Sequence, residues 1–166
     1  MSISDKIMPL TLGLGIGAIF GYVAANQGTV KAPTSSPEVL PGLKVVDIDG
    51  KLRIYEHAGN ASNGDGRVSV AQVTVTEPME EAVQVPQFDE YVLILTGEMI
   101  VYVGSEDAEK RPPGRTEDEP FVLKAKAGQT LQLPKGHLYR YTFPGPCTYV
   151  PVCLPAFSPE IAGRIE

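Results

Sequence analysis

The sequence predicts an all-β domain behind a single N-terminal membrane-spanning helix, and three observations carry that reading. Residues 7–25 contain no charged side chain, and a helix of that length crosses most of a hydrocarbon core. From Leu43 onward the chain turns to short, alternating, β-branched runs separated by Gly, Pro and Asp corners. Beyond residue 30 no segment carries the apolar period of an amphipathic helix.

The apolar stretch has a competing description, because Gly13, Gly15 and Ala18 spell the G-x-G-x-x-A of a dinucleotide loop. That fingerprint needs a strand before the glycines and a βαβ unit after them. Here Pro9 interrupts the residues before it, and a Pro/Ser/Thr stretch follows, so the match fails on context. As a helix the segment is coherent. Ser4 or Asp5 can cap it, and Pro9 falls near the first turn, where a missing N–H costs little. Gly13, Gly17, Gly21 and Ala25 recur every fourth residue and share one face, a stripe on which a second transmembrane helix can pack closely. Val23-Ala24-Ala25 would also serve as a signal-peptide cleavage site, but Asp5 offsets Lys6 and leaves a poor positive leader.

The expected organisation is therefore an anchor over 1–25, a Pro/Ser linker over 26–42, a β domain over 43–157 and a tail over 158–166. Asp49-Gly50 lies between two alternating runs and predicts a hairpin. Residues 56–67 read as a loop, and 68–77 as a strand. Residues 90–104 read as two strands turning at Thr96-Gly97, the first apolar on both faces as in a sheet packed on both sides. Residues 105–120 read as a charged, solvated loop, and the rest as short strands with Pro/Gly corners.

Composition excludes some functions. The net charge is −6 and the basic residues are scattered, so there is no footprint for nucleic acid and no polybasic patch for acidic lipid. Cys147 and Cys153 do not form a C-x-x-C pair and read as small buried hydrophobes.

Two spacings point to a family. Glu90 is followed after six residues by Gly97; Gly128 is followed after five by Pro134 and after one more by Gly136. In this order, within an all-β domain, they resemble the two motifs of a cupin jelly roll. The runs FDEYVLILTGE and LQLPKGHLYRYTFPG are most similar to the ethanolamine-utilisation (EutQ-type) branch, with Phe88 where that branch tends to have tyrosine. The resemblance implies a single cupin barrel. A metal-binding cupin would carry His-x-His at Gln84 and Pro86, or at Val83 and Val85, and a third histidine at Tyr139. All three are missing, so no metal cofactor is expected, with weak divalent binding by a pocket of Glu90, His137, Tyr139 and Tyr141 left as an alternative.

Strand alternation puts His137, Tyr139, Tyr141 and Phe143 on one face. If Tyr139 points inward, Glu90, His137, Tyr139 and Tyr141 form a candidate pocket for a small polar ligand. Were the domain an enzyme, Glu90, His137 and Tyr139 would be its acid–base residues. The leading expectation is a single-pass, non-catalytic accessory subunit of a larger membrane complex. Its setting, by analogy with one-helix subunits of energy-transducing membranes, would be a thylakoid or inner mitochondrial membrane. The alternatives are a cupin enzyme and a small-ligand sensor.

Overall fold

The computed structural model describes residues 37–104 and 121–165. The expected anchor over 1–25 with its glycine face, most of the linker and the charged loop over 105–120 lie outside these residues. Among the described residues no helix is long and apolar enough to cross a membrane.

Two antiparallel sheets face each other. The larger contains, in spatial order, β1 (Leu43–Ile48), β2 (Leu52–Ala58), β3 (Ser69–Val75), β10 (Cys147–Leu154), β5 (Asp89–Thr96) and β8 (Thr130–Leu133). The smaller contains β4 (Met79–Glu80), β9 (Leu138–Phe143), β6 (Glu98–Gly104) and β7 (Phe121–Lys126). From β5 to β10 the chain changes sheet repeatedly, so its inward residues close a jelly-roll barrel around one core. The described helical structure is a single 3-10 turn, Pro159–Ile161.

The strands form where alternation and corners dictate. Asp49 and Gly50 both take positive φ, 48° and 71°, the geometry of a two-residue hairpin turn whose twist matches its strands. β5 and β6 turn at Gly97, φ 79°, where an added Cβ would run into the Pro146 carbonyl oxygen. The turn between β9 and β10 packs against that corner and leaves room only for glycine.

The core is the shared inner face: Val73 and Val75 of β3, Val92 and Ile94 of β5, Met99 and Val101 of β6, and Tyr141 and Phe143 of β9. Fully burying one such aliphatic side chain contributes about 1.5–3 kcal/mol. β5 departs from expectation. It is apolar on both faces, but on the outer face Tyr91, Leu93 and Leu95 are about 40% exposed among the described residues. Residues 56–58 belong to β2 and not to the loop after it, because Glu56 and Ala58 still pair with β3.

The last residues, expected as a tail, are held in register. Val85 N–H donates to Gly163 O, and Ile165 N–H to Val83 O, each at 2.8 Å. On its other side the 83–85 segment pairs with β9 through Gln84 and Tyr139.

Candidate functional site

On β5, Glu90, Val92 and Ile94 share a face, and both apolar members are completely buried, so Glu90 also points into the barrel. On β9, Tyr139, Tyr141 and Phe143 alternate inward and are buried. The Tyr141 hydroxyl donates to Glu90 Oε2 at 2.8 Å, joining the small sheet to the large one. The Tyr139 ring lies beside Tyr141, centroids 6.2 Å apart, but its hydroxyl donates to the Pro134 carbonyl at 2.7 Å. His137 precedes β9 in a bend, half-buried, its ring 6.1 Å from that of Tyr139. Of the four candidate residues, Glu90 and Tyr141 are bonded, Tyr139 adjoins them, and His137 sits at the edge. Asp89, on the opposite face of β5, accepts from the Lys135 N–H at 3.0 Å and so ties down the Pro-Lys-Gly corner.

The fold brings in further residues that sequence reasoning missed. Tyr149 of β10 donates to Glu81 Oε1 at a longer 3.4 Å. Glu81 follows β4 and is fixed by its own N–H donating to Tyr141 O. A second tyrosine–glutamate pair thus crosses the barrel in the opposite sense to the first. Gln84 stands directly opposite Tyr139 on one side and Arg164 on the other. Residues opposed in an antiparallel ladder point to the same face, so Gln84 and Arg164 face the interior with Tyr139. Cys153, opposite Glu90 on β10, is buried beside them. Tyr149 and Cys153 could have been found from the alternation of β10; nothing local marks Glu81, Gln84 or Arg164.

The two carboxyl groups are enclosed by protein, yet neither is sealed. Only one oxygen of each is hydrogen-bonded among the described residues. The single described polar side-chain atom both unbonded and shut off from solvent is Ser62 Oγ. The second oxygens of Glu81 and Glu90, and the Gln84 amide, are left without a hydrogen bond among the described residues.

Electrostatics follow from this enclosure. Burial pushes the Glu90 carboxyl up to about 7, against the Tyr141 hydrogen bond and with help from the nearby Glu81 charge. Burial raises Glu81 as well, opposed by Arg164 and by Tyr149. Tyr139, Tyr141 and Tyr149 are raised first by burial and then by the carboxylates, so all three remain neutral hydroxyls. Glu90 can exchange a proton near neutral pH; the tyrosines can only hydrogen-bond.

A cupin metal centre does not fit this donor set. Its positions hold an amide at Gln84, a hydrocarbon ring at Pro86, a carboxyl already bonded to a phenol at Glu90, and a phenol bonded to a carbonyl at Tyr139. Among the described residues no three His, Cys, Asp or Glu side chains converge as a metal cluster.

Comparison with known proteins places the fold. No family model matches the chain. The chain is 35% identical over 121 residues to "Endoribonuclease YbeY" of Myxococcus xanthus; the match takes in 72% of this chain but about a third of that protein, 36%. Among solved structures it is similar to the oxalate decarboxylase of Lactobacillus farciminis in complex with formate. That alignment has a TM-score of 0.59 and 14% identity, covering 82% of this chain and 38% of that one. It is similar also to the β-barrel nucleoside dehydratase Pac13, with TM-score 0.55 and 13% identity, over 79% of this chain and 92% of that one. At such identities the likeness shows the architecture alone, and the architecture is the cupin barrel.

Proposed function

We propose that this chain is a non-catalytic cupin module, tethered to a membrane as an accessory subunit of a larger complex, with a barrel pocket that holds a small polar molecule. The observation that carries the non-metal part of this reading is the inward pairing of Gln84 with Tyr139 where a metal cupin would present imidazoles. The tether rests on the uncharged run over 7–25 and on the Gly13, Gly17, Gly21, Ala25 stripe. The likeness to the ethanolamine-utilisation branch, through Asp89-Glu90 and Pro134-Lys135-Gly136, belongs to the same proposal.

The relative's endoribonuclease activity is not carried over. That protein is far longer than the matched stretch, and a net charge of −6 offers this chain no phosphate-binding surface. The module should leave RNA intact.

Native membranes solubilised in mild detergent test the reading. The full chain is expected to migrate with a stoichiometric larger assembly and to leave it in Gly17→Leu. A lone, water-soluble chain would overturn the tether, and a lone detergent-dependent monomer would overturn the accessory role.

One observation favours a second reading. Glu90 lies near 7 and points into the barrel, as a general acid–base group would. Turnover of any small molecule that Glu90→Gln abolishes, with folding intact, would favour an enzyme.

A further inference from the structure

We infer that the barrel pocket selects a small organic cation, an ammonium or a guanidinium, held between Glu90, Glu81 and the Gln84 amide. The inference rests on the reading of the barrel interior as a ligand site and adds the chemical class of its occupant.

Donors and acceptors decide the class of ligand. Three tyrosine hydroxyls line the interior, and the proton of each is already directed at a protein acceptor: Tyr141 at Glu90, Tyr149 at Glu81 and Tyr139 at the Pro134 carbonyl. With both carboxyl groups ionised, what these bonds leave over on them is acceptor capacity: the second oxygen of each, beside the lone pairs of the phenols. A ligand that meets those oxygens must therefore donate.

Gln84 supplies the second, independent sign. It is a polar side chain with 7% of its surface exposed, aimed inward by its pairing with Tyr139. Its amide makes no hydrogen bond among the described residues, while its backbone N–H and C=O both bond Tyr139. Its carbonyl oxygen stands ready to accept from a ligand N–H.

Charge agrees. Among the described residues Arg164 acts on Glu81 and no cation acts on Glu90, so the interior carries excess negative charge once both carboxyl groups are ionised. Tyr139, Tyr141 and Tyr149 add aromatic faces, with Phe143 stacked on Tyr149 at 5.5 Å, and ring faces attract a desolvated cation. An anion would find the three phenol protons occupied and two carboxyl groups in its way, with only the Gln84 N–H groups and Arg164 to attract it.

Calorimetric titration of the full chain in detergent, with n-butylammonium, methylguanidinium, butyrate and butyramide as probes, tests this. Saturable binding of a cationic probe is expected, weakened about tenfold or more in Glu90→Gln and in Gln84→Leu. Glu90→Gln keeps the side-chain size and an acceptor for Tyr141, so it separates charge from folding. Binding of butyrate or butyramide in preference to the cations would overturn the inference and keep the pocket. No saturation by any probe up to about 10 mM would overturn both. Cation binding undiminished in both variants would move the site elsewhere and overturn the inference as well.

Discussion

The hydroxyl of Tyr141 donates to Glu90 across the barrel at 2.8 Å, and the two residues belong to different sheets. The bond partly satisfies a carboxyl group that burial would otherwise leave alone, and it fixes the distance between β9 and β5 at the open end of the core. Tyr141→Phe keeps the ring and removes the donor. The expected cost is about 1–3 kcal/mol in urea denaturation, with the Glu90 carboxyl displaced still further upward in a carbon-detected NMR titration. A variant as stable as the parent would mean that the bond contributes nothing net.

The displacement of Glu90 from the usual 4.5 to about 7 makes stability depend on pH. Between those values the folded protein holds a proton that the unfolded chain has already lost. Stability is therefore highest below the unfolded value and falls as pH rises toward 7, by at most about 3 kcal/mol. Glu81, raised by burial, adds in the same direction. Asp65, held near 2 by the Arg67 side chain, acts only in a more acidic window and leaves this one clear. Denaturation midpoints taken across this range should decline for the parent and flatten for Glu90→Gln.

Gly97 and Gly128 have nearly the same backbone, φ 79° and 83°, in different surroundings. An added methyl at Gly128 meets nothing, whereas at Gly97 it meets the Pro146 carbonyl oxygen and lies 2.9 Å from Cys147 Cα. Gly128→Ala should cost about 1–2 kcal/mol of backbone strain. Gly97→Ala should cost several times that, or prevent folding. Equal melting temperatures for the two variants would contradict the packing at the β5–β6 corner.

Cys147 and Cys153 are free, buried and raised in pKa by desolvation, with Glu90 adding to the effect at Cys153. Neither should react with a disulfide reagent in the native state. Their labelling should follow the rate at which the barrel opens, and a fast native reaction at either would show that β10 separates from its neighbours without global unfolding.

Much of the barrel is legible in the linear pattern because its causes are local. Alternation puts successive side chains on opposite sides of a strand by backbone geometry alone, and this places Tyr139, Tyr141 and Phe143 together on the inward face of β9. Asp49-Gly50 turns because its residues tolerate positive φ. The glutamate, glycine and proline spacings that resemble the cupin motifs mark corners of the same local kind. Alternation could not say that the outer face of β5 would stay partly exposed among the described residues, since Tyr91 and Leu93 are as apolar as the residues buried beside them.

The site was decided by closure of the two sheets. Tyr141 reaches Glu90 over 51 residues and Tyr149 reaches Glu81 over 68. Gln84 meets Arg164 only because the C-terminal segment returns to one edge of the 83–85 segment, and Tyr139 only because β9 pairs with the other. Composition, charge and the strand alternation were determined by the sequence itself; the carboxyl–phenol pairs and the inward amide were decided by tertiary structure. The physical reason is that the direction of a strand's side chains is set by neighbouring peptide units, whereas the partner each one meets is set by register across the whole chain.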